Sequence, residues 1–293
     1  IEKDGRVIIM KLGHSLKPES TALKNISAFI EACIRKRKRI ALYYGDNYIS
    51  KQDKIGIAYK KLLQNSAAII SHSSYLLAVA NSINRRTKIV QIPDPCLLNR
   101  YPFEFSGQEN ICRIIWFGQG ASKSYLLLNL PHLVAECTAS KEYELSILAH
   151  EDDLARKIIP EVENISLQSK ISPTKTVWRF RFVAWDQQDQ PSQLERELRR
   201  AHISFIPSDP NNPWKAGASN NRLTDSLQAG CIAVSSQLQS YMELRHLSLQ
   251  GEDFPHLIDI AWKNRTNLAN KYSQVREKHL ERYSASNVVE LWI

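Results

Sequence analysis

Ala201-His202-Ile203-Ser204-Phe205-Ile206-Pro207 and, further on, Ser219-Asn220-Asn221-Arg222-Leu223-Thr224-Asp225-Ser226-Leu227-Gln228-Ala229-Gly230-Cys231-Ile232-Ala233-Val234-Ser235 decide the fold. The apolar runs 203–206 and 231–235 have strand length, and each lies next to a turn residue. Between them, 220–229 reads as a helix stopped by Gly230. A strand, a helix and a second strand in this order form the right-handed crossover of a parallel sheet.

The same alternation extends in both directions. Strands are predicted at 7–10, 40–44, 67–70 and 88–92, with helices at 20–37, 52–64 and 74–81. The stretch 96–110 has no clear period and reads as a linker. Strands then follow at 111–117, 143–148 and 177–183, helices at 124–139, 152–159 and 191–200, and a mostly helical tail from about 256. The expected class is α/β, with two Rossmann-like doubly wound parallel sheets facing a cleft, divided as 1–105 and 106–293. Ligands of such sheets bind beyond the carboxyl ends of the strands, so the cleft is the expected site.

The chain has 293 residues, 43% of them hydrophobic, which suits two cores and excludes a disordered class. No apolar run approaches the roughly 18 residues of a membrane span, and no signal-peptide pattern opens the chain. It begins on Ile1 and reaches a strand almost at once, so the reading places a native start upstream. Five cysteines, odd in number and widely spaced, read as reduced core thiols of a cytoplasmic protein. The net charge is +9, and residues 1–110 hold 18 basic against 9 acidic residues, so the whole excess lies there. Its densest run is Arg35-Lys36-Arg37-Lys38-Arg39. Such a run attracts nucleic acid, an anionic membrane or a phosphorylated ligand, or simply sits at a helix end where the dipole favours cations.

Three segments follow strands of the second block. Trp214 to Asp225 opens a helix whose start offers free N–H groups and a positive dipole end, capped by Ser219 or Asn220. Lys215 and Arg222 flank that start and make an anion site suited to a diphosphate, with Asn221 beside them. Asp225, one turn on, is placed to accept ribose hydroxyls. Gly118-Gln119-Gly120 lets backbone approach a ligand, and Lys123 follows within reach of a phosphate. Trp185, after what reads as the middle strand of this block, is placed to stack on a base. In the first block, His14 follows the first strand and is a candidate for sugar contact or catalysis. Asp46 reads as a turn residue, and His72 is a weaker candidate of the same kind as His14. No Asp-x-Asp pair follows a strand, so no metal and no cofactor beyond a donor substrate is expected.

With these residues in view, the chain resembles the GT-B glycosyltransferases of the family-4-like, mostly retaining group. The resemblance rests on Trp116-Phe117-Gly118, Ala201 to Pro207, Ser219 to Arg222 and Ala229 to Val234, with Asn65 to Ser73 and Ile89 to Asp94 in the first block. It covers most of 40–245. It implies a transferase of polysaccharide biosynthesis that uses a nucleoside-diphosphate sugar. Arg222, Lys215 and N–H groups would hold the diphosphate, Asp225 the ribose, and Gly118 and Gly120 would lie beneath the sugar phosphates. Departures are visible: Gly217 stands eight before Asp225 where an acidic residue is usual, Asp225 replaces the usual Glu, and the family's Arg and Lys pair is reduced to Lys123. The first block has about four strands where the family has roughly six or seven, so its domain reads as shortened. The acceptor is open; the basic first block favours an anionic or lipid-linked one, with residues 35–39 touching the inner membrane face. Two other readings stand beside this one: a catalytically inactive subunit of the same fold, and a basic nucleic-acid-binding protein, disfavoured because no nucleic-acid motif is visible.

Overall fold

The computed structural model describes residues 6–9, 21–51, 53–105, 110–120, 122–169, 176–189 and 192–292. The first unit contains β1 (Arg6–Ile9), α1 (Thr21–Arg35), β2 (Arg39–Tyr43), α2 (Lys54–Asn65), β3 (Ser66–Ser71), α3 (Ser74–Ile83) and β4 (Lys88–Gln91). Its strands form one parallel sheet in the order β1-β2-β3-β4. Leu42 and Ile69 of that sheet are fully buried against Tyr59, Leu62 and Leu63 of α2.

The second unit runs β5 (Ile111–Phe117), α4 (Ser122–Glu136), β6 (Glu142–Ala149), α5 (Glu151–Asp153), α6 (Ile159–Ser169), β7 (Val177–Ala184), α7 (Ser192–Arg200), β8 (Ile203–Ile206), α8 (Asn221–Gln228), β9 (Ile232–Ser235) and β10 (Ser248–Gln250). Three helices follow, α9 (Phe254–Lys263), α10 (Arg265–Leu280) and α11 (Ala285–Trp292). Its six parallel strands are ordered β10-β9-β8-β5-β6-β7. β8 and β9 are buried along their whole length, which is why each reads as an unbroken apolar run. The tail returns to the first unit: Cys96 N–H donates to Tyr283 O at 2.8 Å, and the Trp292 ring centroid lies 6.4 Å from that of Tyr43.

The elements largely follow the sequence expectations, with three differences. The helix expected at 152–159 continues to Ser169 through a π turn at Leu154–Ile158. Proline lacks the N–H of a regular helical bond, and the wider turn just before Pro160 lets the chain carry on. β10 is only three residues long and had no readable period. The strand ending at Ala184 is an edge strand, not the middle one.

The basic run closes α1. Arg35 lies in its last turn, Arg37 N–H donates to Ile34 O at 3.0 Å, and Lys38 N–H to Cys33 O at 3.0 Å. That pattern requires a left-handed residue, and Arg37 supplies it with φ 51°. Glycine takes this conformation without the Cβ penalty, so Arg37→Gly is expected to stabilise the protein by about 0.5–1 kcal/mol, read as a higher urea midpoint. An unchanged or lower midpoint would contradict this account of the turn. The run ends on Arg39, the first residue of β2, so it lies at the amino-terminal edge of the sheet, opposite the carboxyl ends of the strands. It therefore stands outside any acceptor site in the cleft.

Candidate functional site

From β5 the chain winds to β6 and β7 on one side; from β8 it winds to β9 and β10 on the other. β5 and β8 are neighbours, with Ile114 opposite Ile203 and Ile115 opposite Ser204. The order therefore reverses between them, and their carboxyl ends open the crevice where a doubly wound sheet binds ligands. The turn Gly118–Gly120 leaves β5 there, and the long segment 208–220 leaves β8.

Gly118 is held under the sheet edge, its N–H donating to Leu148 O at 3.2 Å. A methyl group on it would lie 3.0 Å from Trp116 Cζ2 and 3.2 Å from Ser122 Cβ. Gly120 is exposed and left-handed, with φ 55° and open space where a side chain would stand. Backbone at this turn is thus accessible to a ligand.

The segment after β8 is built by short polar turns and then pressed against the first unit. Asp209 Oδ1 accepts from Asn211 N–H at 2.9 Å, and Asn212 Oδ1 from Trp214 N–H at 3.0 Å. Asn47 Nδ2 donates across the cleft to Pro213 O at 2.9 Å. A methyl group on Gly217 would lie 2.6 Å from Leu76 Cδ2 and 3.2 Å from Asn47 Cβ. Lys215 begins a single 3₁₀ turn, Lys215–Gly217. Its ammonium lies 5.0 Å from the Trp214 ring centroid and 5.7 Å from that of Tyr125 on α4. Lys51 of the first unit reaches the same indole, at 4.2 Å. Burial, then Arg222 and Lys51, hold the Lys215 pKa below the ordinary lysine value, against an opposing pull from Asp46.

Arg222 stands in the first turn of α8, half-buried, and its Nη1 is buried with no hydrogen-bond partner. Lys51, Lys215 and Arg222 make no ion pair among the described residues. Three cations therefore share a partly desolvated crevice. Asp46 offsets part of their mutual repulsion and lost hydration, and an anion entering from outside would offset the rest.

Asp225 is one turn further along α8. Burial pushes its pKa up to about 6, and a hydrogen bond from Cys96 Sγ at 3.1 Å acts in the opposite direction. Burial, and then Asp225, push the Cys96 thiol well above its ordinary value. Of the two expected caps, Ser219 Oγ accepts from Asn221 N–H at 3.2 Å, while Asn220 occupies the cap position without a side-chain cap bond. Asn220 instead donates from Nδ2 to the Tyr283 hydroxyl at 3.0 Å, and it is fully buried. Asn221 Oδ1 is buried without a partner.

Lys215, Ser219, Asn220, Asn221, Arg222 and Asp225 therefore lie before and within α8, and Gly118 and Gly120 follow the neighbouring strand β5. Lys123 stands differently: it is ion-paired with Asp153, so its charge is already answered within the protein. Trp185 follows edge strand β7, two strands from β5, and packs partly buried on the core. His72 is buried, its Nε2 on Gly45 O at 2.7 Å, and it braces the turn that carries Asp46 and Asn47. His14 lies outside the described residues. Lys51, Asn47, Cys96 and Tyr283 were not singled out for the site from sequence. Only the turn after β2 signalled any of them.

No protein-family model matches the chain, and no curated protein matches it by sequence. Solved structures do match by fold. Anabaena HepE, in complex with UDP and glucose, superposes with a TM-score of 0.62 at 12% identity, over 92% of this chain and 73% of that one. An S. aureus TarM mutant, in complex with fondaparinux, alpha-GlcNAc-glycerol and UDP, gives 0.60 at 14% identity, over 87% of this chain and 50% of that one. A UDP-forming alpha,alpha-trehalose-phosphate synthase from Burkholderia vietnamiensis gives 0.58 at 10% identity, over 91% and 70%. The two parallel-sheet α/β units of this chain have the GT-B fold.

Proposed function

We propose that the chain is a glycosyltransferase that moves a sugar from a nucleoside-diphosphate sugar to an acceptor, with retention of configuration. The observation that carries this reading is the set of unpaired cations, Lys215 and Arg222, beside the first turn of α8 at the switch point of the sheet. A diphosphate supplies the missing charge. UDP is the first nucleotide to test, because UDP occupies the HepE and TarM structures.

When the bond between the anomeric carbon and the diphosphate breaks, the sugar approaches an oxocarbenium ion and negative charge grows on the leaving phosphate. Lys215 and Arg222 are already in place for that charge, so little reorganisation is needed as it develops. N–H groups at the start of α8 and in the Gly118–Gly120 turn add to the same field. Asp225 accepts ribose hydroxyls, and the acceptor enters from the first unit. Lys123 is left bound to Asp153.

Asp225 gives a pH signature. Its carboxyl titrates near 6, above the ordinary carboxylate range, because burial disfavours the charged form. The buried charge costs stability in full above about 6, and the cost fades as pH falls from 6 toward the ordinary carboxylate value of 3.8. Donor binding runs the other way, since only the carboxylate accepts two hydroxyls. In a nucleotide-release assay with UDP-sugars, kcat/KM is expected to fall on the acid side with a midpoint near 6. Asp225→Asn is expected to lower kcat/KM at neutral pH and to lose that limb. A limb unchanged in Asp225→Asn would remove Asp225 from the donor site. Nucleotide binding without any turnover would favour the inactive-subunit reading.

A further inference from the structure

Glu243 lies in a 3₁₀ segment after β9 that packs against the Lys215–Gly217 turn, and its side chain is only 10% exposed. Its carboxylate collects donors from both units. Oε1 accepts the Ser74 N–H at 2.6 Å, at the positive end of α3 in the first unit. Gln91 Nε2, at the end of β4, donates to both oxygens at 3.2 Å. Oε2 also accepts Arg282 Nη2 at 2.9 Å and the Tyr283 hydroxyl at 3.3 Å. Arg282 and Tyr283 belong to the segment that leads back to the first unit.

The phenol has one hydrogen, and Glu243 takes it. The phenolic oxygen can then only accept from Asn220, at 3.0 Å, and this fixes the amide with Nδ2 toward Tyr283. Asn220 is fully buried at the start of α8, and its Oδ1 is left without a partner. A buried acceptor so oriented is costly unless a donor group meets it.

We infer that Glu243 is a positioning residue: it latches the two domains together and, through Tyr283, turns Asn220 so that its Oδ1 accepts a hydroxyl of the bound donor. This rests on the donor-site reading proposed above. With Glu243 gone, the phenol is free to donate, and the Asn220 amide can reverse and present N–H groups in place of the acceptor. The donor site is thus complete only while the domains are latched, and donor binding and closure strengthen each other reciprocally.

The test uses the full chain, with UDP titrated calorimetrically into wild type, Glu243→Ala and Tyr283→Phe, and small-angle scattering of each nucleotide-free protein. Glu243→Ala is expected to bind UDP and its sugar conjugates about tenfold more weakly and to scatter as a wider particle. Tyr283→Phe keeps the Ser74 and Gln91 contacts, so it is expected to lose affinity for the sugar conjugate with the scattering unchanged. Wild-type affinity in both variants overturns the relay, and identical scattering of Glu243→Ala and wild type overturns the latch. Circular dichroism of Tyr283→Phe separates loss of the hydroxyl from loss of the fold. If wild type binds no nucleoside diphosphate, the donor-site reading fails, and scattering still decides the latch.

Discussion

Arg222→Ala is expected to lower kcat by about 10²- to 10³-fold while leaving the fold intact, in the range seen when one preorganised donor to a developing charge is removed. Among the described residues the guanidinium has no ion-pair partner and its Nη1 no hydrogen bond, and it depresses the pKa of Lys215. Deleting it therefore removes repulsion and takes away no internal salt bridge. The melting temperature of Arg222→Ala should match or exceed that of wild type, and the Lys215 pKa should move back toward the ordinary lysine value. Reduced turnover together with unchanged stability marks a residue kept for its ligand rather than for the fold. A variant with near-normal turnover would remove Arg222 from the reaction. A variant that unfolds would make it structural.

Gly230→Ala is expected to cost about 3 kcal/mol or more. Two separate terms add. Gly230 is left-handed, with φ 85°, where an L side chain carries a backbone penalty. A methyl group there would also stand 2.3 Å from Pro102 O, a backbone atom of the connecting segment. That segment is pinned, since Tyr101 N–H donates to Gln228 O at 2.8 Å, and it cannot swing away cheaply. The left-handed turn at Gly230 closes α8 with the Cys231 N–H on Ser226 O at 2.9 Å. The same variant therefore disturbs the helix whose first turn carries Arg222. Urea unfolding of Gly230→Ala should show a lower midpoint, with stability reduced by about 3 kcal/mol; a change below about 1 kcal/mol would contradict both terms. Arg37 makes the contrast, because a side chain is tolerated there in the same kind of turn at the exposed end of α1.

Much of the fold is legible in the sequence. Ile114, Ile115, Ile203 and Phe205 are fully buried in parallel strands, and such strands declare themselves as unbroken apolar runs. Gly230 announces the end of α8 in the sequence, and Lys215, Arg222 and Asp225 lie in the 3₁₀ turn and helix that follow β8, where the sequence puts them. What was not legible depended on distant partners. Lys123 is claimed by Asp153, thirty residues on in the chain, and no spacing rule reports that. Asn220 was read as a cap because capping is a local bond, yet its amide is spent on Tyr283. The edge position of β7 follows from strand order, which alternation alone does not determine, and so Trp185 stands further from the crevice than its place after a strand suggested. Glu243 carries no sequence signal, because its donors come from three separate elements.

The central claim is that the crevice between β5 and β8 holds a nucleoside diphosphate. Isothermal titration of the full chain with UDP, GDP, ADP and CDP, beside UMP and uridine, tests it most directly. The account predicts that one diphosphate binds, that its monophosphate binds at least about tenfold more weakly, and that affinity falls with salt because Lys215 and Arg222 meet the phosphates. No heat with any of the four diphosphates, or equal affinity for the nucleoside and its diphosphate, would contradict it.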